Sequence, residues 1–354
     1  MTEIGENVKA SKALGPAPLT ADAFSKPAGG SEWVASRYRD VQAVLADERF
    51  EVGTVPQVGA VGSVSWLRAS VSRFVNGAEH QRRRQRVEAE LRRLDPQLLR
   101  SDCYRRACAA IQEAGHPGER MDVMALLARQ IPMTAVAGML GVADPTRAAQ
   151  AVIALSAGYF PGSDPATQPA ADVATAQLVS MLEPADRELI VSRIALMVQG
   201  CDATAGLIGN SLYVLQEAQT AKLAAIWSTE SLLWETLRRH SPLRASRRLA
   251  RESVEFQGRQ VAAGAAVVCA VDVANQDPLA FSHPTRFDPD RVGPASLTFG
   301  YGVRPCPGQA QALGLAAGVV DAVREHCSFV PGQPLEYEHS PALRIPARLE
   351  VVLS

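Results

Sequence analysis

The stretch FGYGVRPCPGQ, Phe299 to Gln309, sets one cysteine among three glycines and two prolines. Gly300, Gly302 and Gly308 let the backbone turn tightly and approach a flat ligand, while Pro305 and Pro307 stiffen the chain around Cys306. A helical pattern, QAQALGLAAGVVDAV, follows at once, so backbone N–H groups and the positive end of a helix dipole face the sulfur and favour its thiolate. No Lys-Ser or Lys-Thr follows the glycines, which excludes a phosphate loop. A chance loop thiol, a nucleophile, a zinc ligand and the axial ligand of a haem remain, and the rest of the chain has to choose.

With 354 residues, 47% of them hydrophobic, the chain buries a substantial core, and 36 Lys+Arg against 37 Asp+Glu point to neither nucleic acid nor an anionic membrane. The first thirty residues hold no apolar run fit for a signal peptide or anchor, so a soluble, cytoplasmic protein is expected. Six cysteines are scattered without a CxxC pair, which argues against a zinc site and a disulfide framework. Apolar residues at helical spacing predict helices over 37–48, 77–94, 119–140, 171–183, 186–216, 220–240 and 308–326. SVEFQGRQVAAGAAVVCAV and the C-terminal ALRIPARLEVVL read as a small sheet, and FPGSDPATQPA, at 160–170, as a loop between two short helices. The fold class is mainly α with a small β-sheet region, in a single domain over 1–354.

The loop Phe299-Gly300-x-Gly302-x-Arg304-x-Cys306-x-Gly308 resembles the haem-ligand loop of the cytochromes P-450, whose cysteine thiolate binds iron. It departs from the family at Pro305, a position where proline is generally avoided. Three further matches follow the family's order. In ESLLWETLRRH, Glu235 and Arg238 share a helical face and resemble the structural Glu-x-x-Arg that ties this helix to the segment before the ligand loop. In VNGAEHQRRRQR, His80 and Arg84 lie four apart; the resemblance makes them donors to the haem propionates, with Arg248 and Arg304 at two further propionate positions. Arg82, Arg83 and Arg86 are surplus to that task and are expected to attract an acidic ferredoxin.

The third match, SRIALMVQGCDATAGLIGNSL, resembles the long helix across the distal haem face. The family keeps an acid followed by an alcohol there; this chain has Asp202 but Ala203, with Thr204 one residue late, about 100° further round the helix. Asp202 is expected to help deliver protons. Gln199, where the family keeps a small residue, is expected either to fix a water or substrate group or to cap a backbone carbonyl. Arg244, four residues before Arg248, stands where the family turns a residue towards substrate, and is expected either to hold a substrate carboxylate or to face solvent or the haem.

The resemblance runs from about Trp33 to the C-terminus, with a shortened N-terminus and an abbreviated distal roof near 145–185. It implies haem b, a ferredoxin with its reductase, a small-molecule substrate of specialised metabolism, and a carrier or accessory protein over the roof as one way to complete it. Monooxygenation leads. Oxidative coupling, ring closure or peroxide-supported oxidation is the alternative, because the acid-alcohol pair is incomplete, and a haem protein without turnover is the third reading.

Overall fold

The structure is a computed structural model that describes residues 24–26, 32–56, 58–182, 184–220, 226–330, 332–340 and 342–354. Its helices are α1 (Tyr38–Ala46), α2 (Val64–Ser70), α3 (Gly77–Leu91), α4 (Pro96–Glu113), α5 (Ile131–Met139), α6 (Pro145–Tyr159), α7 (Gln168–Leu182), α8 (Arg187–Thr220), α9 (Thr229–Arg239), α10 (Val271–Ala274) and α11 (Gln309–His326). Its strands are β1 (Phe24–Ser25), β2 (Trp33–Ala35), β3 (Phe50–Glu51), β4 (Arg120–Asp122), β5 (Ala245–Ala250), β6 (Val254–Phe256), β7 (Arg259–Val261), β8 (Ala266–Ala270), β9 (Cys327–Phe329) and β10 (Glu350–Leu353). The chain divides into two compact units: Met1–Gly53 with Gly209–Cys306 and Phe329–Leu349, and Thr54–Ile208 with Pro307–Ser328 and Glu350–Ser354.

The first unit is built on a sheet in the order β1-β2-β8-β5-β3, with β2 parallel to β8 and the other pairings antiparallel. Of the stretches expected to form one late sheet only β8 lies here, beside short N-terminal strands; β6 and β7 pair by themselves and β10 joins β4 and β9. Its apolar side packs Phe24 on Trp33 with ring centroids 5.1 Å apart, and Phe24 and Phe50 each edge-on to Phe256. The start of α1 is fixed from a distance. Buried Asp277 accepts from the Tyr38 backbone N–H at 3.0 Å and from the Arg37 guanidinium at 3.0 Å.

The second unit is helical, apart from the small β4-β10-β9 sheet. Helix α4, absent from the sequence-based set, starts on the Asp95 cap, whose carboxylate accepts from the Gln97 and Leu98 N–H groups, with Pro96 in the first turn. It buries Leu99, Cys103, Ala107 and Ile111, a stripe of period four made half of small residues. Small residues meet small residues here: a methyl on Gly314 or Gly318 of α11 would overlap the carbonyls of Pro96 and Arg100. The span 119–140 is not one helix. It holds β4, a π-helical segment Met124–Gln130, and α5. Helix α6 is the first of the two short helices expected around 160–170, and Thr146, Arg147 and Gln150 lie on its exposed side. The loop at 160–170 does join α6 to α7, through a 3₁₀ turn at Pro165–Thr167. Among the described residues no helix is long and apolar enough to cross a membrane.

Candidate haem site

In the first unit the cysteine loop is pinned at both ends. Gly300 (φ 75°) and Gly302 (φ 66°) adopt left-handed backbone, and a methyl on Gly302 would overlap Ala46 at the end of α1. The Val303 N–H donates to the Leu45 carbonyl at 3.2 Å, and the Cys306 N–H closes the loop onto the Phe299 carbonyl at 2.7 Å. Phe299 meets Trp234 edge-on, with centroids 6.3 Å apart. Cys306 is exposed, and α11 starts at Gln309 with Gly308 as its N-cap. The loop is a rigid platform for a presented sulfur.

Glu235 and Arg238 are almost completely buried, at 4% and 3% exposure, and form a two-point pair: Nη2 to Oε1 at 2.7 Å and Nε to Oε2 at 2.9 Å. Arg238 also donates to the carbonyls of Asn275, Pro284 and Arg286, while Glu235 accepts from the Asp288 N–H and from Arg291. The pair therefore fastens α9 to the segment 275–291. A second knot, not visible in the sequence, fixes the chain just before the cysteine loop. Asn275, fully buried, accepts from the Leu297 N–H at 2.8 Å and donates to Thr298 Oγ1 at 3.0 Å; Thr298 and Ser296 donate to the Leu237 carbonyl, and Ser241 hydrogen-bonds Thr298. The partners lie up to 61 residues apart, and short polar residues at such separation carry no motif.

Of the remaining expected residues in this unit, Arg248 on β5 is buried and donates to Ser246 Oγ at 2.7 Å, while Arg304 is half-buried in the loop. Arg244 approaches Asp272 at 3.8 Å, but Asp272 is held more tightly by Arg344 at 3.0 Å. Burial pushes the Asp272 carboxyl up, against the pull of Arg344 and then Arg244.

In the second unit, α3 carries a buried His80 and a half-buried Arg84 whose Nε donates to Glu88 at 2.7 Å. The surplus arginines are engaged by acids. Arg82 bridges Glu79 and Glu188, Arg83 donates to Glu79, and Arg86 pairs with Glu188 at 2.6 Å. Arg82, Arg83, Arg86 and Glu188 wall a cavity with Trp66 and Ser70, and the pairing of the arginines leaves far less positive field than their number suggests.

Helix α8 is unbroken α-helix across the distal motif, so rotation along it is regular. Gln199, Gly200 and Ala203 are half-exposed, whereas Cys201, Thr204 and Ala205 are buried. At about 100° per residue, Thr204 lies about 140° from Gln199 and does not share its face. A methyl built on Gly200 would meet nothing within 4 Å, so this face of the helix looks onto open space. Asp202, about 60° from Gln199, pairs with Arg129 of the π-helical segment at 3.2 Å. The Gln199 Nε2 donates to the phenol of Tyr159 at 3.2 Å. Arg129 and Tyr159 are the residues that sequence reasoning missed. Arg129 lies in a π-helical segment that the sequence reading took as part of one helix, and Tyr159 ends α6 without a motif.

These features fit a haem: an exposed cysteine before a helix N-terminus, arginines at the carboxylate positions, and a bare glycine face on the long helix. The comparisons agree. The profile of the family described as Cytochrome P450 matches residues 204–314, which span Glu235, Arg238, Arg248 and the whole cysteine loop. The chain is 29% identical over 336 residues to the cytochrome P450 monooxygenase PikC of Streptomyces venezuelae, covering 85% of this chain and 79% of that protein. It is 28% identical over 325 residues to the mycinamicin IV hydroxylase/epoxidase of Micromonospora griseorubida, covering 80% and 78%. The crystal structure of epothilone D-bound cytochrome P450epoK superposes with a TM-score of 0.80 at 24% identity, over 94% of this chain and 93% of that one. The chain is thus similar to cytochromes P450 in sequence, through the region that holds the cysteine loop, and in fold.

Proposed function

We propose that this protein is a haem-thiolate monooxygenase acting on a small molecule of specialised metabolism, with Cys306 as axial ligand of haem b and electrons from a separate ferredoxin and its reductase. The observation that carries it is the pinned loop presenting an exposed Cys306. Relatives named for a monooxygenase and a hydroxylase/epoxidase support the reaction class. The bound haem supplies the redox chemistry that activates dioxygen.

The chain's own residues bind, orient and move protons. Arg248, Arg304, His80 and Arg84 would hold the two propionates, which asks Arg84 to exchange Glu88 for a haem carboxylate. Asp202 would relay protons from its place beside Arg129. Phe299 and Gly300 shape the loop against the macrocycle. Turnover in labelled dioxygen tests the reading: one labelled oxygen atom in the product is expected. Unlabelled product would favour the second reading, coupling, ring closure or peroxide-supported oxidation, which Ala203 supports by leaving the acid without its alcohol. No turnover with any donor would leave a haem-binding protein.

Asp202→Asn is expected to slow turnover by roughly a hundredfold, the scale of one general acid. Thr204→Ala should stay within about threefold, because Thr204 is buried away from Ala203. Equal losses in the two variants, followed by reductant consumption and product yield, would remove Asp202 from the relay.

Arg244 is assigned to a substrate carboxylate. Arg344 already neutralises Asp272 at the shorter distance, which leaves the Arg244 guanidinium, 25% exposed, with charge to offer. Arg244→Leu should weaken the binding of the true substrate about tenfold or more, read from the spectral shift of the ferric protein. Unchanged affinity would exclude the anchor.

A further inference from the structure

Tyr159 closes α6 and is fully buried, yet it touches the open face of the distal helix through one hydrogen bond. Its backbone is clamped: the Arg68 guanidinium, reaching over from α2, donates to the carbonyls of Gly158, Tyr159 (2.6 Å) and Phe160 (3.0 Å). Its ring is held by Phe74 and Phe160, with centroids 5.9 and 5.2 Å away. Burial pushes the phenol well above its ordinary range, so it stays neutral at physiological pH.

Gln199 sits on the half-exposed face it shares with Gly200 and Ala203, about 40° from Ala203 by helical rotation. A glutamine there has three side-chain torsions and would lose most of its directing power to rotamer entropy. The bond to Tyr159 at 3.2 Å takes one N–H and fixes the plane of the amide. The second N–H and the amide carbonyl remain, one donor and one acceptor, the same pair a hydroxyl offers.

We propose that Tyr159 is a positioning residue that locks Gln199, so that the amide does the work of the hydroxyl missing at Ala203 and holds a water or a small anion over the distal face. A glutamine does not itself pass a proton at neutral pH; the pair orders the molecule that does. This rests on the haem reading, and the test separates the two.

The probe is sodium azide, titrated into the ferric haem-loaded protein and followed by absorption, which needs no substrate and no turnover. Gln199→Ala and Tyr159→Phe should each weaken azide binding by roughly three- to tenfold, the scale of one hydrogen bond, and the double variant should lose no more than either single one. Gln199→Asn keeps the amide but is too short to reach Tyr159, so it should behave like Gln199→Ala. If Tyr159→Phe does not yield folded protein, the comparison of Gln199→Asn with Gln199→Met, which keeps the volume, carries the test. Wild-type azide affinity in Tyr159→Phe or in Gln199→Asn overturns the positioning role. Wild-type affinity in Gln199→Ala overturns the amide's role altogether. A wild-type protein that binds no haem, or whose reduced carbon monoxide complex lacks the red-shifted band of thiolate ligation, would instead sink the haem reading itself.

Discussion

Cys306→Ser is expected to abolish the strongly red-shifted Soret band that the reduced protein shows with carbon monoxide, and to take turnover to background. The band would report a thiolate of Cys306 on the haem, and a serine hydroxyl would supply neither that ligand nor its electron density. The platform should survive, since Gly302 against Ala46, the Val303–Leu45 bond and the Asn275 knot do not use the sulfur. The variant should therefore stay folded and retain some haem through its propionate partners, with an altered spectrum. A Cys306→Ser protein that keeps the wild-type band would end the assignment, and so would a wild-type protein that never shows it.

Glu235→Ala should be the most destabilising single change, at about 3–5 kcal/mol, because removing one partner of a buried pair leaves the other charge uncompensated in a site that excludes water. Arg238 is 3% exposed and would face only the carbonyls of Asn275, Pro284 and Arg286. The Asp288 N–H and Arg291 would lose their acceptor at the same time. A loss of that size is a large part of the whole stability of an ordinary domain, so little folded, haem-loaded protein is expected. Thermal unfolding and haem content per chain give the measurement. A variant melting within a degree or two of wild type would show that the pair is not what fastens α9 to the segment before the loop.

The cysteine loop and the Glu235-x-x-Arg238 pair were legible because each is a local string whose chemistry is complete within a few residues. The long helix α8 was legible for the same reason, and it runs unbroken through Ala203 and Thr204, which puts their side chains about 100° apart. What could not be read was anything assembled across the chain. Asn275, Ser241, Ser296 and Thr298 are ordinary polar residues until folding brings them to the end of α9. Tyr159 meets Gln199 from 40 residues away, and Arg129 lies in a segment whose π-helical turn changes which residues share a side. Arg84 also donates to Glu88, the carboxylate one helical turn away, a partner that its spacing from His80 does not announce.

The contact between Gly302 and Ala46 bears on how this protein tolerates change. Tyr301 and Val303 point outward, 45% and 42% exposed, so the loop's outer skin can be rewritten without disturbing its path. The glycine beneath has no such latitude: a methyl on Gly302 would overlap the backbone of Ala46, and α1 cannot yield easily while Asp277 grips its first turn. The place of the Cys306 sulfur is thus inherited from a helix near the other end of the sequence. Variation confined to the loop would explore only one of the two surfaces that decide where that sulfur stands.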